Sequence, residues 1–164
     1  MNHRMNIILV EGIDGAGKTT FIENLKKFAY RCDVKHFTAA DVREQPDPVL
    51  RYYGMLAQCA VAGYETVILD RGWYSDLVYG RVLRQAEEIS WDQIRIIERM
   101  CAGYGSLTIY RVTTPVDTAW KRCKARGEDL IVDKAQLRDI AIEYASAFEF
   151  AEHATPATVY EVRT

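Results

Sequence analysis

The stretch Gly12-Ile13-Asp14-Gly15-Ala16-Gly17-Lys18-Thr19 constrains this chain more than any other feature. It fits the spacing GxxxxGK[ST]. Its context fits as well: the apolar, β-branched run Met5 to Glu11 precedes it, and a segment from Lys18 to about Phe28 follows. In that segment Phe21, Ile22, Leu25, Phe28 and Ala29 fall on one helical face. Strand, glycine turn and helix together make a phosphate cradle. The glycines let the backbone turn and bring N–H groups close to the phosphates. The helix adds the positive end of its dipole. Lys18 is expected to reach the β- and γ-phosphates, and Thr19 to place its hydroxyl on Mg²⁺. Gly12, Asp14, Gly15, Ala16, Gly17 and Thr20 complete the expected donor-phosphate site. With glycine at ordinary abundance, a chance match in so short a chain is roughly a one-in-a-hundred event.

The rest of the chain alternates. Strands are expected at Asp33–Phe37, Glu65–Leu69, Leu107–Val112 and Thr158–Val162. Helices are expected from about Val49 to Val61, at Trp91–Cys101, at Val116–Ala125 and from Asp133 to about His153. Residues 38–48 read as a loop, broken by Asp41, Pro46, Asp47 and Pro48. Such alternation predicts a parallel sheet with helices on both faces, a three-layer α/β/α architecture. Ligands then bind at the C-terminal ends of the strands.

Composition narrows the function. A chain of 164 residues is one ordinary domain by length, here residues 1–164. The formal net charge of −2 argues against broad nucleic-acid binding. Cys32, Cys59, Cys101 and Cys123 form no CxxC pair and have no histidine at metal-ligand spacing, as expected of reduced cytoplasmic thiols. The opening apolar run, Ile7 to Val10, is too short for a signal peptide or a membrane span. A cytoplasmic enzyme with a small-molecule substrate and no nucleic-acid or membrane partner is the expectation.

Two further clusters gain meaning from the phosphate loop. Thr66 to Asp70 is a strand ending in a carboxylate, with Arg71 beside it. Asp70 can hold Mg²⁺ through water or accept the acceptor's proton, and Arg71 can grip a phosphate bidentately. Alone, such a pair more commonly closes a surface strand. Lys121-Arg122-Cys123-Lys124-Ala125-Arg126-Gly127-Glu128 packs four cations into six residues, with Arg122 and Arg126 on one helix face. Alone, this is a solvated helix end favoured by the dipole. Next to a phosphate loop it reads as a lid, about 121–133, that stabilises the charge of a transferring phosphoryl.

These motifs resemble those of thymidylate kinases. Glu11 to Thr20 is similar to that family's opening motif, Asp70-Arg71 followed by Ser75 and Tyr79 to its DR motif, and Arg122 to Gly127 to its lid. The resemblance implies the nucleoside monophosphate kinase fold with a five-stranded parallel sheet, ATP and Mg²⁺ as cofactors, and dTMP as acceptor. It implies that Asp14 meets the acceptor's sugar hydroxyl and Arg71 its phosphate, and that Asp70 sits near Mg²⁺. Tyr79 would pack against the sugar and disfavour a ribonucleotide. Ala16 leaves the catalytic charge to Lys18 and the lid cations Arg122, Lys124 and Arg126. The segment Arg43-Glu44-Gln45-Pro46 departs from the family's pattern, so Arg43 and Arg51 are rival ligands for the acceptor phosphate. The stretch between Asp70 and Trp91 is trimmed. Homodimers are common in that family, and Val49, Met55, Leu56 and Val61 could serve one.

The expected reaction is transfer of the γ-phosphoryl of ATP to a deoxynucleoside monophosphate. A deoxynucleoside kinase is the nearest rival, with Asp41 or Glu44 as the base that takes the 5′-hydroxyl proton. A relaxed-specificity monophosphate kinase is another. A GTP-binding switch is disfavoured, because no NKxD motif occurs.

Overall fold

A computed structural model describes residues 4–127, 131, 133–152 and 154–164. Five strands form one sheet, all neighbours parallel, in the order β2-β3-β1-β4-β5. They are β1 (Met5–Glu11), β2 (Cys32–Lys35), β3 (Thr66–Asp70), β4 (Gly105–Thr113) and β5 (Thr158–Arg163). The helices that cross between them are α1 (Lys18–Lys26), α2 (Ala39–Glu44), α3 (Pro48–Val61), α4 (Trp73–Tyr79), α5 (Trp91–Tyr104), α6 (Val116–Arg126) and α7 (Lys134–Glu152). The α/β architecture with a five-stranded parallel sheet is the one expected. No described helix is long and apolar enough to cross a membrane.

The centre of the sheet is the driest part. In β1, Ile7, Leu9 and Val10 are fully buried, as are Val67, Ile68 and Leu69 in β3. These runs have no polar face, as strands covered on both sides require. Trp73 and Tyr74 of α4 and Phe148 of α7 are buried in the core, with the Tyr74 ring stacked on Phe148 and both α4 aromatics donating to Glu98 of α5.

Two elements escaped the sequence pattern. Residues 38–48, expected as a loop, contain α2. Its start is a capping box in which Thr38 accepts from the Asp41 N–H while the Asp41 carboxylate accepts from Thr38. Asp41 therefore starts a helix and does not break one. Six of the seven residues of α4 are buried, so it lacks the polar stripe that reveals a surface helix. It continues into a π-helical turn, Gly80–Arg84. In the expected lid, α6 ends at Arg126, with Gly127 in the left-handed conformation that stops a helix. Glu128 and the next lid positions up to 130, and residue 132, lie outside the described residues.

Candidate active site

Gly12 to Thr19 joins β1 to α1 at the C-terminal edge of the sheet's central strand. Close packing dictates two of its glycines. A Cβ on Gly12 would stand 2.3 Å from the Val112 carbonyl oxygen, and one on Gly15 2.3 Å from that of Ala119. Both residues also have positive φ. Gly17, the N-cap of α1, offers no side chain to the free N–H groups of the helix, which stay available to an anion.

Lys18 is buried, and its ammonium donates to the carbonyls of Gly12 and Ile13 at 2.9 and 2.8 Å. Burial, then the nearby Arg71 cation, pull its pKa down to about 7, against the opposing pull of Asp14, Asp70 and Glu11. Lys18 lines a cavity of about 280 Å³ with Asp14, Gly15, Gly17, Thr19, Thr20, Asp70, Arg71 and Arg126. Residues distant in the chain thus meet at one polar hollow. Among the described residues no group of three or more His, Cys, Asp or Glu side chains could cage a metal. The Thr19 hydroxyl and the Asp70 carboxylate fit Mg²⁺, which takes one or two protein oxygens and completes its shell with phosphate and water.

Asp14 is shared with a second cleft of about 540 Å³, lined also by Arg43, Arg71, Ser75, Asp76 and Tyr79. Arg71 is its hinge. The guanidinium pairs with Asp14, donates to the Gly12 carbonyl at 3.3 Å and lies 4.9 Å over the Tyr79 ring. The Tyr79 hydroxyl donates to Asp14 at 2.7 Å. Arg71 itself adopts a left-handed backbone at φ 69°, an uncommon conformation for a side-chain-bearing residue.

Glu11 holds that turn. Its carboxylate is buried and accepts from the N–H groups of Gly72 (2.9 Å) and Ser75 (3.1 Å) and the hydroxyls of Ser75 (2.5 Å) and Tyr144 (3.1 Å). Burial raises its pKa, and the Ser75 hydrogen bond and Arg71 oppose the rise. In the sequence Glu11 stands out only as the end of an apolar run and the first residue of the loop motif. His36, just after β2, donates from Nδ1 to the Asp70 carbonyl at 2.8 Å and also lines the second cleft. Sequence reasoning assigned it no role.

The remaining candidates separate. Arg43 faces the second cleft with Arg71 and Tyr79. Arg51 is buried, donates to the Gln45 carbonyl (3.0 Å) and Asp76 (3.2 Å), and borders a different cavity together with Asp41 and Glu44. Burial raises the Asp76 pKa, with Arg51 as the main counterweight. Arg122 donates to the Gly15 carbonyl at 3.1 Å, on the outer side of the loop. It borders a further cavity, about 390 Å³, with Thr20, Phe21, Asn24, Arg126 and Thr164.

A phosphate loop on the central strand, an Asp-Arg pair on the neighbouring strand and a cation-bearing α6 define a P-loop nucleotide kinase. The family model for polyphosphate kinase 2 (PPK2) matches residues 1–147, and the chain belongs to that family. This corrects the resemblance to thymidylate kinases, a distinct family of P-loop kinases. The motifs quoted for that resemblance are shared chemistry. No curated protein matches the sequence. Among solved structures, the chain is similar to YorR from Bacillus subtilis in complex with phosphorylated GDP, at 18% identity and TM-score 0.73, covering 96% of this chain and 85% of YorR. Deoxyadenosine kinase from M. mycoides with bound dATP aligns at 16% identity and TM-score 0.62, over 95% of this chain and 90% of that one. Polyphosphate kinase 2 from Arthrobacter aurescens TC1 aligns at 19% identity and TM-score 0.66, over 98% of this chain and 61% of that longer chain. At these identities the likeness is one of fold.

Proposed function

We propose that this kinase moves the terminal phosphoryl of ATP to the phosphate of a deoxynucleoside monophosphate. One observation carries the reading: Arg43, Arg71 and Arg84 line the acceptor cleft, its carboxylates Asp14, Asp76 and Glu88 are each paired with an arginine, and Asp41 and Glu44 border another cavity. Arg43 and Arg71 suit an acceptor that already bears a phosphate. A nucleoside would need a free base at its 5′-hydroxyl; Asp41 and Glu44 border the neighbouring cavity, and Asp76 and Glu88 in this cleft are engaged by Arg51 and Arg84. The dTMP preference rested on the thymidylate-kinase resemblance, so dTMP stands here as one acceptor among several.

In the proposed reaction an oxygen of the acceptor phosphate attacks the γ-phosphorus. The bond to the β,γ-bridging oxygen breaks, and its electron pair leaves with the nucleoside diphosphate. The acceptor oxygen is anionic, so no strong base is needed, and catalysis is positioning and charge neutralisation. Lys18 neutralises the donor's terminal phosphates, Arg126 joins it from α6, and Arg71 aligns the acceptor between the two hollows. Thr19 and Asp70 would hold Mg²⁺, which offsets phosphate charge when bound. Tyr79, stacked under Arg71 and tied to Asp14, packs against the acceptor's sugar.

A second reading concerns the donor. Inorganic polyphosphate is the donor that the family's name suggests. The cavity beside the loop, walled by Phe21 and Asn24 as well as by cations, favours a donor that carries a base. The test offers ATP or polyphosphate with Mg²⁺ to dTMP, dGMP, dCMP, dAMP, UMP and thymidine, and separates products by ion exchange. A diphosphate formed from ATP and a deoxynucleoside monophosphate is the expected result. Product from polyphosphate alone would replace the donor. Turnover of thymidine with every monophosphate inert would overturn the acceptor.

A further inference from the structure

The outer side of the phosphate loop is gripped from the far end of the chain. Thr164 Oγ1 donates to the Ala16 carbonyl at 2.7 Å across 148 positions of sequence. Arg122 approaches the same hydroxyl at 3.4 Å while donating to the Gly15 carbonyl at 3.1 Å. Thr164 is itself fixed to the end of β4: its N–H donates to the Thr113 carbonyl and its carbonyl accepts from Thr114 Oγ1, both at 2.9 Å. Arg122 from α6 and Thr164, anchored on the end of β4, therefore converge on the backs of two successive loop peptides.

A trans peptide points its carbonyl and the following N–H in opposite directions. Holding the Ala16 carbonyl outward turns the Gly17 N–H toward the inner, phosphate side. Gly17 lies at φ 91°, where glycine has freedom to rotate away. No bulk limits it either: around a Cβ on Gly17 the nearest atoms are Thr164 Oγ1 and Cγ2, at 3.5 and 3.6 Å. The Thr164 hydroxyl is the specific restraint on this peptide.

We propose that Thr164, with Arg122, is a positioning residue that keeps the phosphate loop in its anion-binding conformation. Thr164 acts through the Ala16–Gly17 peptide and touches no reacting atom. It acts on phosphate affinity and not on recognition of the base. The inference rests on the reading of this loop as the donor site, whichever donor is used.

The test compares wild type, Thr164→Val and Thr164→Ser. Titration calorimetry measures binding of Mg²⁺-ATP, Mg²⁺-GTP and Mg²⁺-tripolyphosphate, and thermal melting reports the fold. Valine keeps the shape and removes the hydroxyl's bond to the Ala16 carbonyl together with its contact to Arg122, so each probe that the wild type binds should weaken by the same factor, roughly 3- to 10-fold. Serine should restore binding to within about twofold, since it returns the same hydroxyl. Melting should fall equally little for both variants. Unchanged affinity in Thr164→Val, a loss confined to ATP, or a loss that serine fails to rescue would overturn the proposal. A wild type that binds tripolyphosphate but neither nucleotide would remove ATP as donor, and the valine–serine comparison on tripolyphosphate would still decide the role of Thr164. Binding of no probe by the wild type would overturn both.

Discussion

Lys18 is stored in a state it must leave in order to work. Burial and Arg71 hold its pKa near 7, far below the ordinary 10.5. Between those values the unfolded chain carries the proton and the folded chain does not, so this group's contribution to stability rises with pH across that window. A triphosphate beside the ammonium favours the charged form and raises the pKa. Donor binding at pH 8 should therefore take up a proton, and should take up less at pH 6, where Lys18 is already charged. Calorimetry of Mg²⁺-ATP binding in Tris and in HEPES reads the uptake as a buffer-dependent enthalpy. Heats that agree between buffers at pH 8, or an uptake that survives in Lys18→Ala, would sink this account. At this scale the sequence was most readable where chemistry dictates residue type. Lys18, Thr19, Asp70, Arg71 and Arg126 do converge on one cavity. Arg51 was unreadable, because its partner Asp76 lies 25 positions away and no local pattern announces a buried pair.

Elements α2 and α4 show why local patterns missed part of the acceptor side. The six residues of α2 are all unburied, so it has no apolar stripe, and only the Thr38–Asp41 box marks its start. By contrast α4 is buried nearly all round. What positions α4 is Glu11, at the end of a different element. Alanine there would leave the N–H groups of Gly72 and Ser75 without their acceptor in a dry interior. Each such loss costs about 1–3 kcal/mol. We expect Glu11→Ala to lose roughly 2–5 kcal/mol by urea unfolding, and turnover to fall with it, because the turn bearing Arg71 is released. Glutamine keeps one oxygen for the two N–H groups and an amide for the hydroxyls, so Glu11→Gln should keep most of the stability. Unfolding of the alanine variant within about 0.5 kcal/mol of wild type would show that Glu11 does not hold this turn.

Strand order is the property of the whole molecule that makes the site, and it was not legible. Alternation announced a parallel sheet, but nothing local says that β1 lies between β3 and β4. That order places Asp70 and Arg71 beside the phosphate loop on one flank and α6 on the other. Family was illegible for a related reason. The loop, the Asp-Arg pair and the cationic helix are what phosphoryl transfer needs on this sheet, so they specify the chemistry and leave open which family uses them. Centrality also sets where the molecule tolerates change. Leu9 is fully buried in the middle strand, whereas Val159 lies half-buried in the edge strand β5. Truncating Leu9 to alanine leaves a cavity that neighbours on both faces cannot close, at about 2–5 kcal/mol. Val159→Ala removes less volume at a site that can relax, and should cost under about 1.5 kcal/mol. Urea midpoints of the two variants, compared at equal m-value, read the difference directly. Equal losses would mean that stability is spread evenly across the sheet. The expected order, with Leu9 far costlier, means that the strand carrying the phosphate loop is also the one the fold can least do without.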